Sequence, residues 1–283
     1  MTRNVSSPLK LLPSAMTVTA ICLALTSVKL AHDNEVTPAL ALLAGAAILD
    51  ALDGRIARVL NATSRMGQEL DSLADAVNFG VAPAFIVYWT LLQHSRVGWI
   101  VVLVYAVCIV LRLARFNAQL DDAQPAYAKE YFVGMPAPAG AIGAIGPLAA
   151  RAQWPGAWWG TEWAEWTVIV WMIGVSLLVV SAIPMRKIHT FAISPNMTFP
   201  LLVLLAIGVA ASIFFPYLVI MAIIVAYVIH IPFAVRSKRW IANHPEAWDS
   251  KPRQQRAQRR QIRRTQPHRR SVARLGLRKP PRH

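Results

Sequence analysis

Charge is scarce in this chain: Asp, Glu, Lys and Arg make up 15% of its 283 residues, while 55% are hydrophobic. Soluble domains carry charge on about a quarter of their residues, so an ordinary water-soluble fold is excluded and the chain reads as a polytopic membrane protein. Cysteine is almost missing. Cys22 and Cys108 lie in apolar runs, with neither a CxxC nor a Cys/His metal spacing, which excludes a disulfide framework and a zinc site and leaves two inert packing residues. Acids are scarcer than bases, 14 against 29, but the excess is local. Residues 236–283 hold 16 of the Lys and Arg and 2 of the Asp and Glu, so nearly all of the net charge of +15 belongs to that tail.

Long hydrophobic runs fill the rest. A span needs about 20 mostly apolar residues, and on that criterion spans are predicted at 12–31, 36–58, 72–93, 97–116, 136–152, 164–184, 198–214 and 216–235. The predicted fold is all-α, a membrane-embedded helical bundle of about eight transmembrane helices. Its parts are an N-terminal segment 1–11, a membrane domain 12–235 and a basic tail 236–283, too poor in large apolar residues to fold by itself. Arg3 and Lys10 precede an apolar run as in a signal peptide, but no small-residue cleavage site follows, so the run is expected to stay as the first span.

Eight spans bring both termini to one side, together with Arg55, Arg58, Arg65, Arg112 and Arg115. By the positive-inside rule that side is cytoplasmic, in a multi-pass protein of the cell membrane. The tail is expected to meet anionic membrane lipids or to serve as a topology anchor without a specific partner; nucleic acid is not expected. Six of the ten tryptophans fall between Trp154 and Trp171, as in an interfacial belt on the opposite side. Gly140, Gly143 and Gly146 recur at spacing three, which suits close helix packing or a dimer contact.

The scarce acids are not scattered. Residues 50–75 read DALDGRIARVLNATSRMGQELDSLAD, with the skeleton Asp50-x2-Asp53-Gly54-x2-Ala57-Arg58-x8-Gly67-x3-Asp71-x3-Asp75. Asp50 and Asp53 at i, i+3 and Asp71 and Asp75 at i, i+4 each share one face of a helical stretch. An Asp deep in a bilayer costs about 2.5 to 3.5 kcal/mol on insertion scales, and like charges repel besides. A cation must balance them. All-oxygen ligands without nearby Cys or His suit a hard divalent ion, Mg2+ or Mn2+, and four carboxylates can hold two. The plainer alternative is that these acids mark the solvated ends of two spans.

This skeleton resembles in full the signature of the CDP-alcohol phosphotransferase family. Residues 112–117 (Arg-Leu-Ala-Arg-Phe-Asn) and 132–139 (Phe-Val-Gly-Met-Pro-Ala-Pro-Ala) are similar to the branch whose acceptor alcohol is L-serine. The resemblance spans roughly residues 10 to 240. It implies a helical membrane enzyme that moves the phosphatidyl group of CDP-diacylglycerol to L-serine and releases CMP, and it suggests a homodimer. It makes Asp50, Asp53, Asp71 and Asp75 ligands of two divalent ions, with Asp75 also the general base. Gly54, Ala57, Arg58, Ser64 and Gly67 are implied contacts of CDP-diacylglycerol. So are Pro13, Ser14, Ala15 and Met16, in Pro13-Ser-Ala-Met-Thr17, where the family more often has Asn at the position of Ser14.

Read from the residues alone, Gly54 suits either a nucleotide against its backbone or tight helix packing. Arg112, Arg115 and Asn117 suit either the serine carboxylate or positive-inside anchoring. His230 reads as a satisfied core residue. Within the family the other acceptors are inositol phosphate and glycerol 3-phosphate, whose dianion calls for a denser cationic pocket. Outside it stand a cation transporter, which would place carboxylates near the midplane of several spans, and a scaffold recruited through the tail.

Overall fold

The computed structural model describes residues 8–62, 64–119, 131–181, 183–186 and 198–242. A 3-10 turn at Pro8–Leu11 leads into α1 (Leu12–His32) and α2 (Val36–Val59). Next come α3 (Arg65–Leu92), α4 (Arg96–Gln119), α5 (Ala137–Gln153), α6 (Glu162–Val180), α7 (Thr198–Phe214) and α8 (Pro216–Ala242). The eight helices coincide with the eight predicted spans, and the chain is a polytopic helical membrane protein. Six of them, α1 to α4, α6 and α8, are long and apolar enough to cross a membrane. Both α5 and α7 have 17 residues, about 25 Å at the α-helical rise and slightly short of the hydrocarbon core.

One small ladder interrupts the all-helical pattern. β1 (Tyr131–Val133) pairs antiparallel with β2 (Pro184–Arg186), Phe132 opposite Met185. It draws the entry of α5 to the exit of α6, and Gly134 supports it with a φ of +80°. A Cβ at Gly134 would lie 2.7 Å from the carbonyl oxygens of both Val179 and Ser181, so only glycine fits. Pro136 then precedes the first turn of α5.

Short turns fix the antiparallel order. After α1, Asn34 takes a left-handed φ of 66°, and the Asn34 and Glu35 amides donate to the carbonyls of Ala31 and Leu30. The same Schellman arrangement ends α2: Asn61 has φ 49°, and the Asn61 and Ala62 amides donate to Arg58 and Ala57. Asparagine tolerates this conformation best after glycine. Ser64 then caps α3 by accepting from the Gly67 amide at 3.0 Å. The turn joining the two acid-bearing helices is therefore held at both ends.

Inside the bundle, α1 and α2 approach through alanines, with Ala20, Ala24, Ala31, Ala39 and Ala46 fully buried. The glycine row of α5 is used within the chain: Gly140 meets Val179 and Ile109, Gly143 meets Val175, and Gly146 meets Ile224. Between α5, α6 and α8 lies an apolar cavity of about 660 Å3. Trp163, Trp166 and Trp171 of the predicted belt line it, and Tyr227 stands in its wall.

α3 departs from α geometry twice, in π-helical turns at Ala76–Val81 and Tyr88–Leu92. Such turns are single-residue bulges that disturb the normal backbone pairing. The first is anchored on α4: the buried Tyr105 hydroxyl donates to the Phe79 carbonyl at 2.8 Å. A Cβ on Gly80 would sit 3.2 Å from Ile109.

Three predicted boundaries moved by four residues or more. α6 ends at Val180 rather than 184, because the chain leaves the helix at Ser181 and Pro184 enters β2. α3 begins at Arg65 rather than 72, because its polar first turns are capped by Ser64 and carry no hydropathy signal. α8 runs to Ala242 rather than ending at 235. Residues 1–7 and the tail beyond Ala242 lie outside the described residues.

Candidate active site

The start of α1, the end of α2, the start of α3 and the end of α4 meet at one end of the bundle, where the scarce acids gather. Asp53 is the most deeply placed, at 2% exposure. Its Oδ2 lies 2.6 Å from the Thr17 hydroxyl of α1, whereas its Oδ1 is buried without any hydrogen-bond partner. Asp50, three residues earlier on the same face, accepts from the Asn78 side-chain amide at 3.1 Å. The carboxylates of the two helices feel one another directly: Asp50 interacts with Asp53, Asp71 and Asp75, and Asp71 with Asp53. Two acidic edges do face each other.

Cations near them are few. The ion pair among the described residues joins Lys29 to Asp33, at the opposite end of α1. Arg112 of α4, half-buried, faces Asp75 electrostatically. Arg112 and Arg58, which lines a cavity with Asp53 and Asp71, are two guanidinium groups against four clustered carboxylates, and the excess negative charge in a poorly solvated place is what a bound cation would relieve. The donor set fits a hard divalent ion: it is all oxygen, and the Asp53 Oδ1 is a buried acceptor with nothing to accept from. As the side chains stand, no three acidic, His or Cys groups among the described residues converge on one point. A shared ion would draw them together.

Beside the acids opens a cavity of about 290 Å3. From α2, Gly54, Ala57 and Arg58 line it with Asp53, and from the capped turn and α3 come Ser64, Gly67 and Asp71. A Cβ on Gly54 would meet nothing within 4 Å, so helix packing does not require this glycine, and the free space belongs to the cavity. The Arg58 Nε donates to the Gly54 carbonyl at 3.0 Å, which holds the guanidinium along the cavity wall. α1 contributes Pro13, Ser14 and Thr17. Ala15 and Met16 are not among the lining residues, because consecutive helical positions point around the axis and these two face away.

Three polar residues were given no role from the sequence: Thr17, which closes the Pro13–Thr17 stretch, Gln68, which also lines the cavity, and Asn78. Each lies three or four positions from a predicted site residue, Pro13, Asp71 and Asp75 respectively. Helical periodicity was the signal available for all three.

The predicted acceptor residues separate. Arg112 interacts electrostatically with Asp75 and Tyr227, and its own Nε is buried without a partner. Arg115 donates to the Val180 carbonyl at 3.3 Å, tying α4 to the end of α6. Asn117 donates to Ser72 at 3.0 Å, bracing α3. His230, expected to be satisfied in the core, has a buried Nε2 with no partner.

The chain is thus a helical membrane protein with paired carboxylates beside a polar cavity at one end of the bundle. A family model for CDP-alcohol phosphatidyltransferase matches residues 10–173, and the chain belongs to that family. It is 58% identical over 273 residues to the CDP-diacylglycerol–serine O-phosphatidyltransferase of Mycobacterium tuberculosis, covering 96% of this chain and 94% of that one. The protein of the same name from Mycobacterium leprae is 55% identical, over 96% of this chain and 90% of its own. The one from Helicobacter pylori is 40% identical over 137 residues, 48% of this chain and 56% of its own.

Proposed function

We propose that this chain transfers the phosphatidyl group of CDP-diacylglycerol to the hydroxyl of L-serine, giving phosphatidylserine and CMP. The observation that carries the reading is the likeness, over 96% of the chain, to proteins named for that reaction. The geometry supports it.

Asp50, Asp53, Asp71 and Asp75 would hold two divalent ions, Mg2+ or Mn2+, which would supply charge neutralisation to the pyrophosphate of the donor. The CDP portion lies in the cavity beside Gly54, where no side chain stands between ligand and backbone. Arg58 offers its fork to a phosphate, and Ser64 and Ser14 offer hydroxyls. Asp75 accepts the proton of the serine hydroxyl as its oxygen bonds to the phosphorus of the phosphatidyl group. The bond from that phosphorus to the CMP oxygen breaks, and CMP leaves. Arg112 beside Asp75 holds the serine carboxylate. A phosphate-bearing acceptor would call for more positive charge than this one guanidinium supplies among the described residues around Asp75.

The site lies at the cytoplasmic end of the bundle in the cell membrane, with both termini on that side, and the enzyme works as a homodimer. Purified protein in detergent, given CDP-diacylglycerol, Mn2+ or Mg2+ and L-serine, is expected to release CMP in a serine-dependent manner. Asp75→Asn is expected to lose at least a hundredfold of that rate. Turnover with inositol phosphate or glycerol 3-phosphate and none with serine would overturn the acceptor. Divalent-cation flux surviving Asp75→Asn, with no CMP release, would point to transport instead.

A further inference from the structure

Among the described residues that line the cavity beside the acids, Gln68 of α3 carries the one side-chain amide; the other polar side chains are hydroxyls or charged. Several of those make bonds within the protein: Thr17 with Asp53, Arg58 with the Gly54 carbonyl and Ser64 with the Gly67 amide. Among the described residues the Gln68 side chain has no such bond. Its backbone is nevertheless fixed, since its N–H donates to the Ser64 carbonyl at 3.0 Å in the turn that the Ser64 hydroxyl caps. A donor and an acceptor are thus held at the cavity wall for a ligand.

Position along the helix narrows that ligand. Ser64, Gln68, Asp71 and Asp75 follow at i, i+4, i+7 and i+11 and so share one face of α3. Gln68 stands two turns before Asp75, about 10 Å away at the α-helical rise. The bond that breaks lies at the Asp75 end, so the nucleoside of the donor extends the other way, past Asp71 to Gln68. Opposite, α2 offers the small Ala57 and Gly54, where an added Cβ would meet nothing within 4 Å. A flat ring can rest against that low surface with its edge toward Gln68. A primary amide presents an acceptor beside a donor, and cytosine presents the complement, an N4–H that donates and an N3 that accepts. Glutamine pairs with adenine in the same two-bond manner. We infer that Gln68 is a specificity-determining residue that reads the base of the donor, its Oε1 accepting from N4–H and its Nε2 donating to N3. This rests on the proposed use of CDP-diacylglycerol. The charged groups of the cavity then serve the phosphates and the ions, and the amide serves the base.

The test uses the full chain in detergent, following phosphatidylserine formation from CDP-diacylglycerol and L-serine. Two inhibitors are compared: CMP, and 2-pyrimidinone riboside monophosphate, whose base lacks the 4-amino group. Wild type is expected to bind the analogue about fivefold more weakly than CMP, the usual effect of losing one hydrogen bond. Gln68→Met keeps the length of the side chain and is as good a helix former, so the unfolding temperature should hold. Its inhibition constant for CMP is expected to rise about tenfold, for the loss of two bonds, and the two inhibitors should then act alike within about twofold. The KM for L-serine and the half-saturating Mn2+ concentration should stay within about twofold of wild type. An unchanged CMP constant, a wild type indifferent to the 4-amino group, or a preference for CMP that survives in Gln68→Met overturns the inference. A shift confined to Mn2+ overturns it too, and assigns Gln68 to the ions. A wild type that forms no phosphatidylserine, or one that excess CMP does not inhibit, would instead remove the proposed reaction, and this role of Gln68 with it.

Discussion

Thr17→Val removes one hydroxyl and keeps the shape of the side chain, at the single hydrogen bond that orients the most buried carboxylate. The Thr17 oxygen lies 2.6 Å from Asp53 Oδ2 and 3.0 Å from the Pro13 carbonyl. A hydroxyl has one proton, and the shorter distance is that of a charge-assisted bond, so the proton goes to Asp53. With Oδ1 already unpartnered and the residue 2% exposed, valine leaves Asp53 with no hydrogen bond at all. Loss of a bond to a charged group amounts to about 1.5 to 3 kcal/mol, roughly a 10- to 150-fold change in an equilibrium constant. Residues that orient metal ligands typically alter metal affinity or activity by about 10- to 100-fold, the same range. The assay is CMP release against Mn2+ concentration. The half-saturating concentration is expected to rise by about one to two orders of magnitude in Thr17→Val and to return most of the way in Thr17→Ser, which keeps the hydroxyl. A valine variant that needs no more divalent ion than wild type, or a serine variant no better than valine, would refute the reasoning.

The other predictions concern the cavity and the helix beneath it. Gly54→Ala should leave stability unchanged or raise it by up to about 1 kcal/mol, since alanine is the better helix former and its Cβ meets nothing within 4 Å. Its KM for CDP-diacylglycerol should nevertheless rise; an unaltered KM would place the nucleotide elsewhere. Tyr105→Phe deprives the buried Phe79 carbonyl of its donor and should destabilise the protein by about 1 to 3 kcal/mol in thermal unfolding, with lower activity, because the π turn directly follows Asp75.

Much of the fold was legible because apolar runs of bilayer length have few alternatives to helices. The acids were legible because Asp50, Asp53, Asp71 and Asp75 keep fixed helical spacing, while the caps that Asn61 and Ser64 supply between the two helices emerged only in the structure. What the sequence hid was long-range or locally degenerate. The residues of Ala76–Val81 suit an α-helix as well as a π turn, and only the packing of Gly80 and Tyr105 on their neighbours distinguishes them. β1 and β2 lie some 50 residues apart with three residues each and no alternating pattern to reveal them. Arg112, Arg115 and Asn117 read as one group, although residues at i, i+3 and i+5 cannot all share a direction on a helix. Asn117 is the one that the spacing sets apart, whereas Arg115 shares a face with Arg112 and is drawn off by the Val180 carbonyl of α6, a partner distant in sequence.

The π turn of α3 also has a mechanical meaning. Above it the helix carries Asp71 and Asp75, and below it Ala82, Ile86 and Val87, which are buried in the bundle. In an unbroken α-helix the rotation of the acids would be tied to the rotation of that apolar half, and any repacking within the membrane would swing the carboxylates with it. A bulge with its own anchor on α4 separates the two. The lower half can tilt or shift as bilayer thickness changes, while the acids keep their aim.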